Sequence, residues 1–387
     1  MAKKKTNKLK MAVIGVGVMG QGHCKIIKEK VPEMELVAVV DANESNVDKI
    51  AKTFEVTPFY SHRDLIKAGI CDAVTIATPH PLHAGIAIDC LKGGLHVLSE
   101  KPLSERISTA EKMVAVAKKN KRTLAVMFQR RFEPKIEAVL EFVRSGNIGK
   151  IHRAMLVSPE YRSQAYYDSA SWRATWQFEG GGVMMNQAPH VMDIFVNLVG
   201  LPVKVTGKVE TKMHKIEVED FAEATMTLKD GGHAYFYCST NEPLPGQIID
   251  VYGDKGKISI RDDSVSCWRY SEPITKHMKT SKEVWVPPKA EPVELKLNSQ
   301  ERGPHNVLGN FARHILKGEK LVCSGESGLA SLELANAITL SSYLKKELKL
   351  PISRRRYDEL LSELRKTSKP KKIKATEKRV TDPRIKT

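Results

Sequence analysis

The sequence lacks closely spaced cysteines and long apolar runs, and both absences exclude kinds of protein. Its 387 residues contain six scattered cysteines, with no CxxC pair and no His/Cys spacing typical of metal ligands. This scatter argues against a zinc site and predicts no bound metal, reduced thiols and a cytoplasmic location. No run of about 18 apolar residues occurs, so we expect neither a transmembrane helix nor a membrane partner. Hydrophobic residues at 41% and charged residues at 28% are typical of a globular protein.

The formal net charge of +17 is concentrated at the two ends of the chain. Residues 1–10 contain five lysines and no acidic residue, whereas residues 354–387 contain 13 Lys or Arg against five Asp or Glu. We therefore expect a basic N-terminal extension (1–8) and a basic C-terminal tail (353–387), unstructured over 368–387. Such tails favour weak, salt-sensitive contacts with polyanions and predict no specific nucleic-acid partner. A nucleic-acid-binding protein stays open as an alternative, which removal of the tails tests.

Residues 9–128 alternate between short β-rich runs and helical patterns. Strand-like runs occupy residues 10–15, 35–40, 72–78, 95–100 and 123–128. Helical patterns separate them at residues 18–30, 44–54, 82–94 and 108–120. Nearly continuous Val, Ile and Ala with helical crossovers indicate a parallel sheet that is buried on both faces. The prediction for this domain is an α/β Rossmann-type, doubly wound parallel sheet.

Residues 129–352 show a different pattern, which predicts a second domain of the α+β class. Apolar and polar residues alternate over 221–228 and 233–240, and Gly231-Gly232 joins these two runs as a hairpin would. Residues 248–260 form another hairpin pattern, and helical patterns follow at about 304–317 and 326–346. Long strands with one polar face predict a large, open, mostly antiparallel sheet that rests on helices or on a second subunit.

The first strand of the chain runs into a glycine-rich turn, "GVGVMG", that fits a dinucleotide. Its G-x-G-x-x-G spacing permits a tight turn, a close approach of the pyrophosphate and close helix packing. Asp41 follows the second strand, where a carboxylate can accept both ribose hydroxyls of NAD and repel the 2′-phosphate of NADP. We therefore expect NAD as the cofactor, with NADP possible. The loop residues expected to bind it are Gly15, Gly17, Val18, Met19 and Gly20.

Two further motifs carry a resemblance to a known family. "TPHPLHAGIAIDCLKGGLHVLSEKP" (78–102) and "EGGGVMMNQAPH" (179–190) resemble segments of the glucose–fructose oxidoreductase / inositol dehydrogenase (Gfo/Idh/MocA) family. The resemblance extends over about residues 9–352. It implies an NAD(P)-dependent oxidoreductase that acts on a sugar or cyclitol, and a homodimer or homotetramer assembled through the C-terminal sheet. It also implies a cis Lys101–Pro102 peptide bond.

The resemblance assigns roles to three residues, and their chemistry agrees. Lys101 ends a parallel strand, so its ammonium points into the cofactor crevice and can exchange a proton with the substrate oxygen. His190 is suited to acid or base work because imidazole titrates near neutral pH. Asn186, where Asp is more frequent, can orient a substrate hydroxyl but cannot exchange a proton. Asn186 and His190 lie four residues apart, so on a helix they share one face. Pro189 is tolerated in a first helical turn, so we expect the pair at a helix start.

Other positions follow from the resemblance alone. The expected cofactor contacts are Thr78, Pro79, His83, Glu100, Lys101, Gln129, Trp172 and Arg173. The expected substrate contacts are Arg131, Tyr161, Asn186 and His190. Asp193 matches a further acidic residue of the family, and His80 stands where Asn is usual.

Two alternatives keep the cofactor fold but change the activity. One is an NAD-requiring glycoside hydrolase, which oxidises a sugar carbon transiently and regenerates its cofactor. The other is a non-catalytic NAD-binding regulator, against which the presence of Lys101 and His190 argues. Accumulation of NADH during turnover separates the dehydrogenase from both.

Overall fold

The computed structural model describes residues 8–244, 246–298 and 301–369. Its first domain alternates strands and helices from the first described residues onward. These elements are β1 (Leu9–Ile14), α1 (Val18–Lys30), β2 (Met34–Val40), α2 (Glu44–Phe54), β3 (Thr57–Phe59), α3 (His62–Ala68), β4 (Ala73–Ile76), α4 (His80–Lys92), β5 (His96–Ser99), α5 (Ile107–Lys119) and β6 (Leu124–Val126).

The strands of this domain form a six-stranded parallel sheet in the order β3-β2-β1-β4-β5-β6. Because β1 has β2 on one side and β4 on the other, the strand order reverses at β1 and a crevice opens outside the carboxyl ends of these strands. β4 is buried at every residue and β1 at every residue except Lys10, as expected for a sheet covered on both faces. The predicted Rossmann-type fold is confirmed.

The second domain begins after a 3-10 turn at Gln129–Phe132. Its elements are α6 (Pro134–Arg144), β7 (Ile151–Pro159), α7 (Gln164–Asp168), α8 (Val183–Asn186), α9 (Pro189–Val199), β8 (Lys204–Glu210), β9 (Phe221–Thr227), β10 (His233–Ser239), β11 (Ile248–Gly253), β12 (Gly256–Arg261), β13 (Ser264–Tyr270), α10 (Ile274–Thr280), β14 (Ala290–Val293), α11 (Pro304–Lys317), α12 (Leu329–Leu344), β15 (Leu348–Lys349) and α13 (Arg354–Thr367).

Nine strands of the second domain form one open sheet in the order β14-β13-β12-β11-β7-β10-β9-β8-β15. Neighbours pair antiparallel across the described sheet except for β7 and β10, which are parallel. Ala224, Phe236, Leu156 and Ile249 face inward and are buried, and α9 and α12 pack on the sheet. The predicted open, mostly antiparallel sheet is confirmed.

Asn336 of α12 connects the two domains. It is fully buried, its Oδ1 accepts a hydrogen bond from Ile107 N at 2.9 Å, and its Nδ2 donates to Glu105 O at 3.2 Å. The amide therefore caps the first turn of α5 from the other domain. This contact fixes the segment that leaves β5, which carries Lys101.

Differences from the sequence expectations are found in the first domain and in the C-terminal segment. β3 and α3 are not predicted, because β3 is a three-residue edge strand that contains Pro58, and such a strand shows no apolar alternation. The expectation of a basic tail over 353–387 is wrong for its first part, because α13 spans Arg354–Thr367 and buries Tyr357 and Leu361. The expected unstructured segment 368–387 lies outside the described residues from residue 370 onward, as does the N-terminal extension up to residue 7.

Within the described ranges, no helix is both long enough and apolar enough to span a membrane.

Candidate active site

The turn between β1 and α1 has the shape of a dinucleotide cradle. Gly15 has φ +87°, and a Cβ there would lie 2.8 Å from Ala77 O. A Cβ on Gly20 would lie 1.9 Å from Gly15 O, so both positions require glycine. No side chain caps α1 and its first turn carries no acidic residue. The helix N-terminus can therefore accept the negative charge of a pyrophosphate.

Asp41 lies at the end of β2 and faces the same turn. Its Oδ2 accepts a hydrogen bond from Val16 N at 2.9 Å, and its Oδ1 accepts one from Asn43 N at 3.0 Å. Each carboxylate oxygen keeps a second lone pair, so the ribose hydroxyls of NAD can still donate to it. The residues present therefore fit NAD.

His83 connects the loop that contains Thr78 and Pro79 with the loop after β5. The ring is fully buried, with Nδ1 2.9 Å from Pro102 O and Nε2 2.8 Å from Thr78 O. Burial lowers the pKa of His83, although both carbonyl oxygens favour the protonated ring. With both nitrogens engaged by the backbone, the structure does not support a cofactor contact for His83. It positions the loops instead.

Lys101 leaves the carboxyl end of β5 through a cis Lys101–Pro102 peptide bond. Its Nζ crosses the cleft between the domains and donates to Asn186 O at 2.7 Å. Burial lowers the pKa of Lys101, and the carboxylates of Glu100, Glu160 and Glu179 oppose that shift. The cleft thus holds an amine that loses its proton more readily than an exposed lysine.

Glu100 is held by α1. Its Oε1 lies 2.8 Å from His23 Nε2, and its Oε2 accepts from Lys101 N at 3.2 Å. Burial favours the neutral acid, but the His23 hydrogen bond and charge, together with the Lys101 ammonium, hold the pKa of Glu100 below its usual range. Glu100 therefore places a negative charge beside Lys101 and ties it to the cofactor helix. A contact of Glu100 with the cofactor stays a prediction.

Asn186 and His190 lie on two helices, not on one. Asn186 is the last residue of α8, and His190 is the second residue of α9, which begins at Pro189. Pro189 has no N–H, so the ladder breaks there, and Ala188 N bonds instead to Val183 O. The expectation of a shared helical face is therefore wrong, although His190 does lie at a helix start.

His190 faces the residues that follow β6. Its ring packs edge-on against the Phe128 ring, with 5.9 Å between the ring centroids. Its Nε2 lies 3.5 Å from Gln129 Nε2. Its Nδ1 is buried without a hydrogen-bond partner among the described residues. Burial, with the positive charges of Lys101 and Arg130, lowers the pKa of His190 to about 3. The ring is thus neutral at physiological pH and can accept a hydrogen bond.

Trp172 and Arg173 belong to an aromatic and cationic wall near the glycine-rich segment. The Arg173 guanidinium lies 4.0 Å from the Tyr166 ring centroid and 4.8 Å from that of Trp172, and it donates to Tyr166 Oη. Tyr161 is 55% exposed. Such residues suit stacking on flat or sugar surfaces, and their cofactor and substrate contacts stay predictions.

Arg131 is not available to a substrate. Its Nε and Nη2 donate to both carboxylate oxygens of Asp193 at 2.7 and 2.5 Å. Its Nη1 donates to Val322 O and Ser327 Oγ, and Nη2 also donates to Ser327 O. All five N–H groups of the guanidinium are therefore used inside the protein. The structure does not support the expected substrate contact, because Arg131 joins α9 to the segment before α12.

Glu179 is a site residue that the sequence did not reveal. It is 1% exposed. One carboxylate oxygen accepts from Asn186 Nδ2 and the other from Ala174 N at 2.5 Å. Its carbonyl oxygen lies 3.0 Å from His80 Nδ1. A glutamate before three glycines reads as a loop residue, and nothing in that pattern signals its burial against Asn186.

The glycines after Glu179 allow the chain to turn tightly into α8. Gly180 has φ +79°, and a Cβ on Gly182 would lie 1.9 Å from Glu219 O. The buried Glu219 carboxylate accepts from Gly182 N at 2.8 Å and from Met184 N at 3.1 Å. It thereby caps the helix that carries Asn186.

Two family models match this chain. One, described as an oxidoreductase family with an NAD-binding Rossmann fold, matches residues 9–128. The other, the GFO/IDH/MocA C-terminal domain, matches residues 136–259. Together they span well over half of the chain, and the chain belongs to the GFO/IDH/MocA oxidoreductase family. It is an NAD-binding oxidoreductase, so the predicted family, enzyme class and cofactor are confirmed.

Individual relatives agree with this assignment over nearly the whole chain. The oxidoreductase YrbE of Bacillus subtilis is 25% identical over 86% of this chain and 94% of its own length. The inositol 2-dehydrogenase of Rhizobium meliloti is 25% identical over 88% of this chain and 99% of its own. Among solved structures, the WlbA dehydrogenase of Bordetella pertussis with NADH and UDP-GlcNAcA has a TM-score of 0.77. It is 26% identical and covers 89% of this chain and 100% of its own.

Proposed function

We propose that this oxidoreductase transfers a hydride between NAD and a carbon that bears a hydroxyl or carbonyl group on a sugar or cyclitol. The observation that carries the proposal is the meeting of Lys101 from one domain with Asn186 from the other. Their contact of 2.7 Å lies in the crevice at the carboxyl ends of the parallel strands. Support for the substrate class comes from relatives named inositol 2-dehydrogenase and from the WlbA structure that contains a sugar nucleotide.

NAD, when bound, supplies the hydride acceptor, and the residues of this chain supply proton transfer and orientation. Oxidation of a secondary alcohol releases the hydroxyl proton together with the hydride. Lys101 in its neutral form can take that proton, and burial makes this form more accessible. In the reverse direction, the Lys101 ammonium returns the proton to the carbonyl oxygen.

His190 is the second proton-handling group that we propose. Its low pKa keeps the ring neutral, so it can accept a hydrogen bond from a substrate hydroxyl; proton uptake by so weak a base requires that the bound substrate raise this pKa. Asn186 has no ionisable group, so we assign it to substrate orientation. Met184 and Met185, which precede Asn186 in the chain, are buried, so the chain that leads to Asn186 packs in an apolar environment.

The test is a substrate panel with NAD and NADP, followed through the absorbance of NADH. The panel contains inositols, monosaccharides, uridine-diphosphate sugars and aryl glycosides. We expect accumulation of NADH with one class of sugar or cyclitol, and loss of that signal in His190→Ala and Lys101→Ala. Binding of NADH, measured through its fluorescence, should persist in both variants.

Two other outcomes would contradict the proposal. NAD-dependent release of the aglycone without net NADH favours a hydrolase that regenerates its cofactor. Tight NADH binding with no turnover across the panel favours a non-catalytic binding protein. A dehydrogenase signal that survives in Lys101→Ala contradicts the role of Lys101 and leaves the activity itself intact.

We also propose that the outer face of the nine-stranded sheet forms a homodimer or homotetramer interface. Met155, Tyr235, Tyr252 and Trp268 are half-buried on this face, and their neighbours in register include Thr225, Arg153 and Lys257. Large apolar and aromatic groups on an open sheet face favour association. Light scattering coupled to size exclusion gives the mass, and Met155→Glu should lower it. The six cysteines are buried free thiols, and the cytoplasmic location stays a prediction.

A further inference from the structure

The side-chain amide of Asn186 is held by a buried carboxylate that does not itself face the cleft. Glu179 is 1% exposed, whereas Asn186 is half-buried at the cleft wall. We propose that Glu179 is a positioning residue, which turns the Asn186 amide so that its Oδ1 faces the substrate and selects a donating hydroxyl there. This inference rests on the proposed function, because it concerns the substrate side of the same cleft.

Glu179 is held by contacts from several segments. Its two carboxylate oxygens accept from different donors, the amide Nδ2 of Asn186 and the backbone N–H of Ala174. Its own N–H donates to Thr175 O at 3.0 Å, and its carbonyl oxygen receives the His80 ring from the other domain. Backbone contacts hold the residue in place, and two donors hold its carboxylate.

The Glu179 carboxylate sets the direction of the Asn186 amide. An ionised carboxylate only accepts hydrogen bonds, so the NH₂ group of Asn186 must face Glu179 and Oδ1 must face away from it. Asn186 Oδ1 forms no hydrogen bond with the described residues, and it is not a buried atom. It is therefore open to the cleft. A group at this point that only accepts hydrogen bonds, such as a carboxylate, would meet another acceptor.

The same carboxylate is linked to Lys101 through Asn186. Asn186 binds Glu179 through its side chain and Lys101 through its carbonyl oxygen, so one residue joins both groups. The negative charge of Glu179 favours the ammonium form of Lys101. Burial raises the pKa of Glu179. The positive charges of Arg173 and Lys101 and the hydrogen bonds from Ala174 and Asn186 oppose this rise.

Several elements contribute the charges that act on this pair. The charged or titratable groups that face Lys101 or Glu179 are Glu100, Glu160, Arg162, Arg173, His80, His190 and Glu219. Removal of one negative charge from this set should lower the pKa of Lys101.

Glu179→Gln tests the proposal because glutamine has only one acceptor oxygen. If that oxygen still accepts the hydrogen bond from Ala174 N–H, the new NH₂ group faces Asn186. Asn186 must then turn its Oδ1 inward and present NH₂ to the substrate. For the substrate found in the panel, we expect kcat/KM to fall about 100-fold, as expected when a hydrogen bond to substrate is replaced by two opposed donors.

The second variant restores the original polarity. In Glu179→Gln with Asn186→Asp, the glutamine NH₂ donates to one oxygen of the aspartate, and the other oxygen accepts from the substrate. We expect kcat/KM to recover to within about 10-fold of the parent protein. Glu217→Gln is the matched control, because the Glu217 carboxylate accepts from the backbone N–H of Trp176 on the same segment and from Ser368 and Lys369, and it contacts neither Asn186 nor Lys101. It should leave kcat/KM unchanged.

A readout without substrate separates this inference from the proposed function. NMR titration of dimethylated lysines, with Lys101→Arg to assign the signal, reports the pKa of Lys101 directly. It should fall in Glu179→Gln and stay unchanged in Glu217→Gln. An unchanged pKa, or a double variant no better than Glu179→Gln, overturns the inference. A parent protein that oxidises no member of the panel overturns the proposed function, and the titration still tests the link between Glu179 and Lys101.

Discussion

Arg131 offers a sharp test, because the sequence suggests a substrate contact and the structure shows a buried ion pair. Its guanidinium binds both oxygens of Asp193, a side chain that is 1% exposed. The perturbation is Arg131→Met, which keeps a long apolar side chain and removes all five donors. We expect it to destabilise the fold and to leave substrate affinity unchanged.

The size of the stability loss depends on the buried groups that Arg131→Met leaves without a partner. Removing one partner of a buried ion pair costs about 3–5 kcal/mol, because the remaining charge stays buried without compensation. Val322 O, Ser327 Oγ and Ser327 O also lose their donor, at up to about 1 kcal/mol each where water cannot replace it. We therefore expect the free energy of unfolding to fall by at least about 3 kcal/mol.

The loss of unfolding free energy in Arg131→Met should depend on pH in a defined direction. Burial raises the pKa of Asp193 above that of an unfolded chain, and Arg131 opposes this rise. Without Arg131 the pKa rises further, so the folded variant binds a proton more readily than the unfolded chain does. The stabilisation by that proton is complete below the unfolded pKa and is lost as pH rises through the folded pKa. The variant should therefore approach the parent protein as the pH falls.

Urea unfolding followed by fluorescence, over a pH series, measures these changes. Arg131→Met with Asp193→Leu should recover much of the loss, since an apolar pair can replace a buried ion pair. Arg355→Met is the matched control, because Arg355 is an exposed residue of α13. It should change stability by no more than about 0.5 kcal/mol. A stable Arg131→Met protein with a raised KM for substrate would refute the structural role and restore the substrate contact.

The remaining predictions concern the cofactor and the glycine-rich segments. Lys101→Ala should lower turnover by roughly 100-fold while NADH affinity, measured by fluorescence, stays within a few fold; unchanged turnover would exclude a proton-transfer role. Asp41→Ala should weaken NAD more than NADP in competition titrations, and equal losses would exclude the ribose contact. Gly182→Ala places a Cβ 1.9 Å from Glu219 O, so the melting temperature should fall. Gly22→Ala meets nothing within 4 Å and is its control; equal melting temperatures would contradict the steric argument.

The cofactor side of the site was predictable from sequence because backbone geometry dictates it. Gly15 and Gly20 are required by contacts of their missing Cβ atoms with nearby carbonyl groups, and such contacts recur wherever this turn binds a dinucleotide. The helix after the turn was predicted at 18–30 and α2 at about 44–54, and both agree with the structure. Their limits follow from local signals, such as the Asn43 side chain that caps α2.

The elements that sequence reasoning missed depend on contacts distant in the chain. α13 buries only Tyr357 and Leu361, which lie one turn apart. Its other residues are mostly charged, so the composition indicates a solvated tail and the apolar stripe is too short to indicate a packed helix. Its position is set by Arg365, which binds Glu105 Oε1 at 2.9 Å and Trp176 O at 3.1 Å. The same is true of Arg131, whose partner Asp193 lies 62 residues away.

The substrate side was the least predictable, and the pair of Glu179 and Asn186 shows the physical reason. A motif records which side chain faces the cleft, but the direction of an amide depends on the group behind it. That group can come from any buried position whose backbone allows it to reach, here the residue before three glycines. Hydrogen-bond polarity toward the substrate can therefore change through a residue that never touches it. Members of one fold family can thus share Lys101-like and His190-like residues and still recognise different hydroxyl patterns.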